Sequence, residues 1–294
     1  MRASDGRVLW QNAENPYDGP HGLIDEASNT REPVAPVAPV VDGQTVIETM
    51  GAALFMALRT SDGRMLWHSQ PLKGIVHSAY GLPFPPVVAD GVIYAATGYG
   101  TIAAWDERDG RSLWVAHVAP EVEIAPPTNP TLFAELPLPV VAGSTVYVSA
   151  GSAVYALRAS DGSVRWHLPD APVASYSVPV VAANTVCVAD SFGAVFALDA
   201  ETGTIRWHAP PGSSMLMNSM PTVVLQGQTI YVASRGNFVK ALNAATGAQL
   251  WRYPTHDGDA FISGPLAPLV VEGGRVYLAS LDFGLYVLDA ATGR

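Results

Sequence analysis

The sequence repeats itself, and that repeat restricts the chain to an architecture built from like units. Ala197-Leu198-Asp199-Ala200-Glu201-Thr202-Gly203-Thr204-Ile205-Arg206-Trp207 returns, with substitutions, around Gly63 and Trp67, Gly110 and Trp114, Gly162 and Trp166, and Gly247 and Trp251. In each copy the tryptophan stands four residues after the glycine. The chain opens on Asp5-Gly6 and Trp10 and closes on Leu288-Asp289-Ala290-Ala291-Thr292-Gly293-Arg294. Each copy is preceded by a proline-led apolar run, at Pro39, Pro86, Pro139, Pro179, Pro221 and Pro268, and by a run of the Val146-Tyr147-Val148 type. Each unit is thus four short β-branched or aromatic runs separated by glycine turns, which predicts a four-stranded antiparallel meander. No segment holds apolar residues at i, i+3, i+4 and i+7 for long enough to suggest a helix.

Four-stranded units at this period are the blades of an all-β β-propeller, and six repeat units fit in this chain. Six blades could close as a ring, or be part of a seven- or eight-bladed propeller. The expected organisation is a single domain over residues 1–294, with strand 7–11 completing the blade begun by 268–294. Within a unit the glycine falls at the turn before the outermost strand, where φ > 0 costs glycine nothing. The tryptophan falls on that outermost strand, and an indole burying about 150–250 Å² is expected to wedge between neighbouring blades. Trp10, Trp67, Trp114, Trp166, Trp207 and Trp251, with Gly6, Gly63, Gly110, Gly162, Gly203 and Gly247, are therefore read as structural docking residues.

The repeat motif resembles the tryptophan-docking motif of the quinoprotein, or pyrroloquinoline-quinone (PQQ)-like, repeat family, which Ala197 to Trp207 matches in full. Quinoprotein dehydrogenases of this family bind PQQ and calcium on the propeller axis and carry an adjacent-cysteine disulfide against the cofactor. This chain has one cysteine, Cys187, which takes the repeat position of Tyr94, Tyr147, Tyr231 and Tyr277 and reads as a core strand residue. Neither that disulfide nor the calcium and catalytic residues find a match, so no cofactor is expected. In character the chain is closer to the outer-membrane assembly lipoprotein of the β-barrel assembly machinery, and to related extracytoplasmic propellers and receptor-kinase sensor domains. The resemblance implies a non-catalytic protein- or peptide-binding scaffold or sensor outside the cytoplasm. The alternatives are a PQQ-dependent oxidoreductase with atypical ligands and a detached sensor segment of a receptor kinase.

Spacing indicates where binding would reside. From the proline to the following tryptophan the units measure 28, 28, 27, 28 and 30 residues, whereas the connectors between them hold 28, 18, 24, 12, 13 and 16. Such connectors all leave on one face, and inserts on one face of a repeat protein mark its binding surface. Eleven acids, among them Glu121, Glu123 and Asp257, stand in the connectors against Arg31, Lys73 and Arg252. Apolar residues are interleaved with them. The candidate binding face comprises Tyr80, Phe84, Glu121, Glu123, Phe133, Met215, Met217, Asp257 and Phe261. A solvated acidic rim, or loops packed down on the blades, would carry the same residues.

A formal charge of −10 argues against nucleic acid, whose phosphates require basic patches. No apolar run of about 18 residues spans a membrane, and a monomer is expected. Residues 1–6 lead straight into the repeat with no leader of signal-peptide form. All seven histidines are assigned to the connectors, and His68, His167 and His208, each following a docking tryptophan, sit on separate blades where they do not converge on one metal. No nucleophile elbow, phosphate-binding loop or zinc-protease helix motif occurs.

Overall fold

The computed structural model describes residues 7–12, 38–49, 54–70, 72, 85–98, 101–118, 138–150, 153–168, 177–182, 184–190, 193–210, 221–234, 238–254, 269–279 and 285–294. Every regular element among them is a β-strand. Blade 1 comprises β1 (Val40–Asp42), β2 (Thr45–Thr49), β3 (Phe55–Arg59) and β4 (Met65–His68). Blade 2 comprises β5 (Val87–Ala89), β6 (Val92–Gly98), β7 (Thr101–Asp106) and β8 (Ser112–His117). Blade 3 follows with β9 (Val140–Ala142), β10 (Thr145–Ala150), β11 (Ala153–Arg158) and β12 (Val164–Leu168). Blade 4 holds β13 (Val180–Ala182), β14 (Thr185–Ala189), β15 (Val195–Asp199) and β16 (Ile205–Ala209). Blade 5 holds β17 (Thr222–Gln226), β18 (Thr229–Ser234), β19 (Phe238–Asn243) and β20 (Gln249–Pro254). Blade 6 has three strands, β21 (Val270–Glu272), β22 (Arg275–Ala279) and β23 (Leu285–Asp289), and residues 7–12 form no strand.

Strands in each sheet follow chain order, so every blade is a simple meander with no crossover. Burial tracks position within the blade. All six residues of β7 and of β10 are buried, because both faces of a middle strand are covered by neighbouring sheets. In the fourth strands β8 and β20 only the central tryptophan is buried, with the residue two places on, along the same face, half-buried. In five blades the pairing of the third and fourth strands slips by one residue just before that tryptophan. Ala57 pairs with Trp67 but Leu58 with Met65, which leaves Leu66 as the extra residue of a bulge. A bulge re-aims the side chain beside it, and here that side chain is the indole.

The described chain divides into two compact units, residues 1–141 with 160–163, and 142–159 with 164–294. The first has a core of Ile47, Phe55, Ala57, Ile93, Ala95, Ala103 and Trp105, in which Phe55 meets Trp105 edge-on at 4.9 Å. The second holds cores on the same plan, one centred on Tyr147, Trp166 and Leu198, one on Cys187, Ile230 and Leu242, and one on Tyr231, Trp251 and Leu288.

Candidate functional site

Two features repeat from blade to blade, a joint between neighbours and the connector that leaves each fourth strand. The joint is built on the turn between the third and fourth strands. The Gly203 N–H donates to Asp199 O (2.9 Å) and the Asp199 N–H to Thr204 O (2.8 Å), closing a five-residue turn. Asp199 Oδ1 accepts from the backbone of Glu201 and Thr202. Arg206 donates to Asp199 Oδ2 at 2.6 Å, and together these bonds hold the Asp199 carboxyl down at about 2. Asn243 and Asp289 play the same part in their blades. This is the physical content of the acidic residue four places before the glycine: it organises the turn.

Gly203 itself has φ +72°, and a Cβ there would lie 2.7 Å from the ring of Trp166 in the preceding blade. Gly110 stands in the same relation to Trp67, Gly162 to Trp114, Gly247 to Trp207 and Gly293 to Trp251, while Trp10 lies against Gly63. Five of these indoles donate across the joint: Trp10 to Thr60 O, Trp67 to Glu107 O, Trp166 to Ala200 O, Trp207 to Ala244 O and Trp251 to Ala290 O, at 2.8–3.0 Å. Glycine therefore serves twice, admitting a left-handed backbone and leaving the ring its seat. Gly6 lies outside the described residues.

A tyrosine on the second strand deepens the joint. Tyr147 lies 6.0 Å from Trp166, and both donate to Ala200 O. Tyr231 and Trp251 share Ala290 O in the same way. Tyr94 stands 6.0 Å from Trp114. These three indoles are 8 % exposed. Trp67 and Trp207, whose blades offer Ile47 and Cys187 at the tyrosine position, are only half-buried. Cys187 is fully buried, and burial pushes its thiol up to about 12, which removes it as a nucleophile near neutral pH.

Tyr80, Phe84, Glu121, Glu123, Phe133, Met215, Met217, Asp257 and Phe261 all lie outside the described residues, as do His21, His77 and His256. The remaining histidines require a correction. His68, His117, His167 and His208 are strand residues of β4, β8, β12 and β16, because the ladder runs on past each tryptophan. Met56 pairs with His68, Tyr155 with His167 and Phe196 with His208. His208 stacks on Phe196 at 4.6 Å. Arg252 likewise belongs to β20, so the connectors are more acidic than the sequence count implied.

Two residues gave no functional signal in the sequence. Trp105, fully buried, takes a position that Leu58, Leu157, Leu198 and Leu242 fill in the other blades, and its Nε1 has no partner among the described residues. Lys240 is 2 % exposed in the apolar strand Phe238-Val239-Lys240-Ala241-Leu242. Its Nζ donates to Gly193 O at 2.6 Å and to Pro210 O at 3.3 Å. Desolvation draws the Lys240 ammonium down to about 8, against the opposing pull of Asp190. A charge interrupting an apolar run was its only mark in the sequence.

The repeated four-stranded blades and their indole joints define a β-propeller of PQQ-like repeats. The chain belongs to the family described as outer membrane protein assembly factor BamB, whose model matches residues 1–175 and 170–294. It is 31% identical over 296 residues to the serine/threonine-protein kinase AfsK of Streptomyces griseus, covering 99% of this chain and 32% of that one. It is 26% identical over 241 residues to tetrathionate hydrolase of Acidithiobacillus ferrooxidans, covering 72% of this chain and 43% of that one. The chain thus spans less than half the length of either relative. Quinohemoprotein alcohol dehydrogenase from Comamonas testosteroni shares the fold, with a TM-score of 0.55 and 20% identity over 71% of this chain and 41% of that chain.

That last likeness raises the question of a quinone and its metal. Among the described residues no three of His, Cys, Asp and Glu come together as metal ligands. The one thiol, Cys187, is buried in a strand and cannot form an adjacent-cysteine disulfide. Among the described residues there is also no helix long and apolar enough to cross a membrane.

Proposed function

We propose that this chain is a non-catalytic scaffold that binds a protein or peptide through the connectors following its fourth strands, outside the cytoplasm. The observation carrying this reading is the contrast between units of 27 to 30 residues and connectors of 12 to 28. Uniform blades serve the joints, whereas freely varying acidic and apolar loops serve recognition. Membership of a family described by an assembly factor supports it. Charge reversal at Glu121 and Glu123 should weaken binding to the partner recovered by pull-down at least tenfold while Tm stays within about 2 °C. Unchanged affinity would remove the connectors from the account.

A second reading, the sensor segment of a receptor kinase, is favoured by the likeness to AfsK along almost the whole chain. The reading frame on either side of this segment distinguishes it, since a kinase domain would be encoded there. The rival reading is a PQQ-dependent oxidoreductase with atypical ligands. Saturable binding of PQQ with calcium, accompanied by dye reduction, would establish it and displace the scaffold.

A further inference from the structure

Lys240 occupies a repeat position that every other described blade fills without charge: Met56, Ala103, Tyr155 and Phe196 stand there in β3, β7, β11 and β15, and Tyr286 in β23. A buried ammonium where an apolar side chain would serve is costly, because desolvation penalises the charge. It requires a reason other than packing. Its bonds supply one, since both run from blade 5 to blade 4 and reach that blade at two separate places. Gly193 lies in the turn joining β14 to β15, and Pro210 directly follows β16 at the root of the connector.

The receiving turn is itself held by hydrogen bonds. Asp190, buried, accepts the Ala194 N–H on its Oδ1 at 2.8 Å, and its own N–H donates to Ala194 O at 2.9 Å. The Gly193 N–H closes back onto Asp190 O, which leaves the Gly193 carbonyl to receive Lys240. On its own blade Lys240 faces Arg252 across the ladder, and both cations lie over the Phe238 ring, at 5.6 and 4.6 Å. The Asp190 carboxylate favours the Lys240 charge, and the bonds to backbone carbonyls hold the ammonium in place.

We propose that Lys240 is a positioning residue for the root of the blade 4 connector, gripping the Gly193 and Pro210 carbonyls so that Pro210 and the turn before β15 are tied together. The proposal rests on the reading of the connectors as the binding element and names the residue that preorganises one of them. A preorganised loop binds more tightly because less order is lost on binding.

The test needs no partner, so its failure is distinct from failure of the binding role. In Lys240→Met, amide exchange should rise at least tenfold in peptides covering 190–194 and 207–214, less than twofold elsewhere, with Tm equal to or above that of the native chain. The gain in Tm should shrink between pH 8 and 10. There the native Lys240 sheds its proton before the unfolded chain does, so the native fold gains stability with pH while the variant lacks that gain. Unchanged local exchange would overturn the proposal. So would a fall in Tm with exchange raised throughout, or a variant that does not fold, either of which makes Lys240 a core prop.

Discussion

At the scale of single residues, glycine explains the repeat as fully as tryptophan does. Gly247 and Gly227 lie in the same blade and both have positive φ, +72° and +59°. They differ in what a methyl group would meet: the Trp207 ring at 2.5 Å in one case, nothing within 4 Å in the other. Gly227→Ala should therefore cost only the backbone penalty, about 1–2 kcal/mol. Gly247→Ala should cost that and the displacement of the indole, on the order of 2 kcal/mol more given what overpacking costs elsewhere. Urea unfolding of the two variants measures the difference, and equal losses would mean that the seat beneath the ring does not matter. Sequence alone explained this glycine by its backbone freedom. The second reason lies in the adjacent blade, some forty residues away, where no local pattern points.

The blade is the next scale, and its strands were legible because each carries a distinct pattern. Middle strands read as unbroken apolar runs, and fourth strands read as a tryptophan among polar neighbours. The bulge before each tryptophan was not legible, since it is a property of pairing rather than composition. Nor was the end of the fourth strand: His68, His167 and His208 were assigned to connectors because polar residues after a tryptophan resemble the start of a loop. Aromatic partners across the ladder hold two of them in the sheet. Indole docking is expected to carry much of the cohesion between blades. Trp207→Ala should lower stability by about 3–5 kcal/mol, and Gly247→Ala added to it should then cost only its backbone penalty. Substitution of Met217, assigned from the sequence to a connector and outside every docking motif, should cost less than about 1 kcal/mol. Equal effects at Trp207 and Met217, read by thermal unfolding, would undo the assignment of the joint.

For the whole molecule, the division of labour between blade and connector carries the functional account. Fold class was legible because six phased copies of one motif leave little freedom. Site residues were less so, because the variable loops share no repeat against which a departure stands out. Lys240 shows the converse: within a repeated strand, a single charge is conspicuous once its five counterparts are aligned by register. The connectors as the binding element can be probed without knowing the partner, by placing a photo-crosslinking side chain at one position at a time in the living source cell. Phe133, Met217 and Phe261 sample three connectors, while Gln44 and Gln228 sample exposed turns between first and second strands. The account predicts that the three connector positions give one common cross-linked protein and the two turn positions give none. Cross-links of the same species from the turns, with none from the connectors, would contradict it.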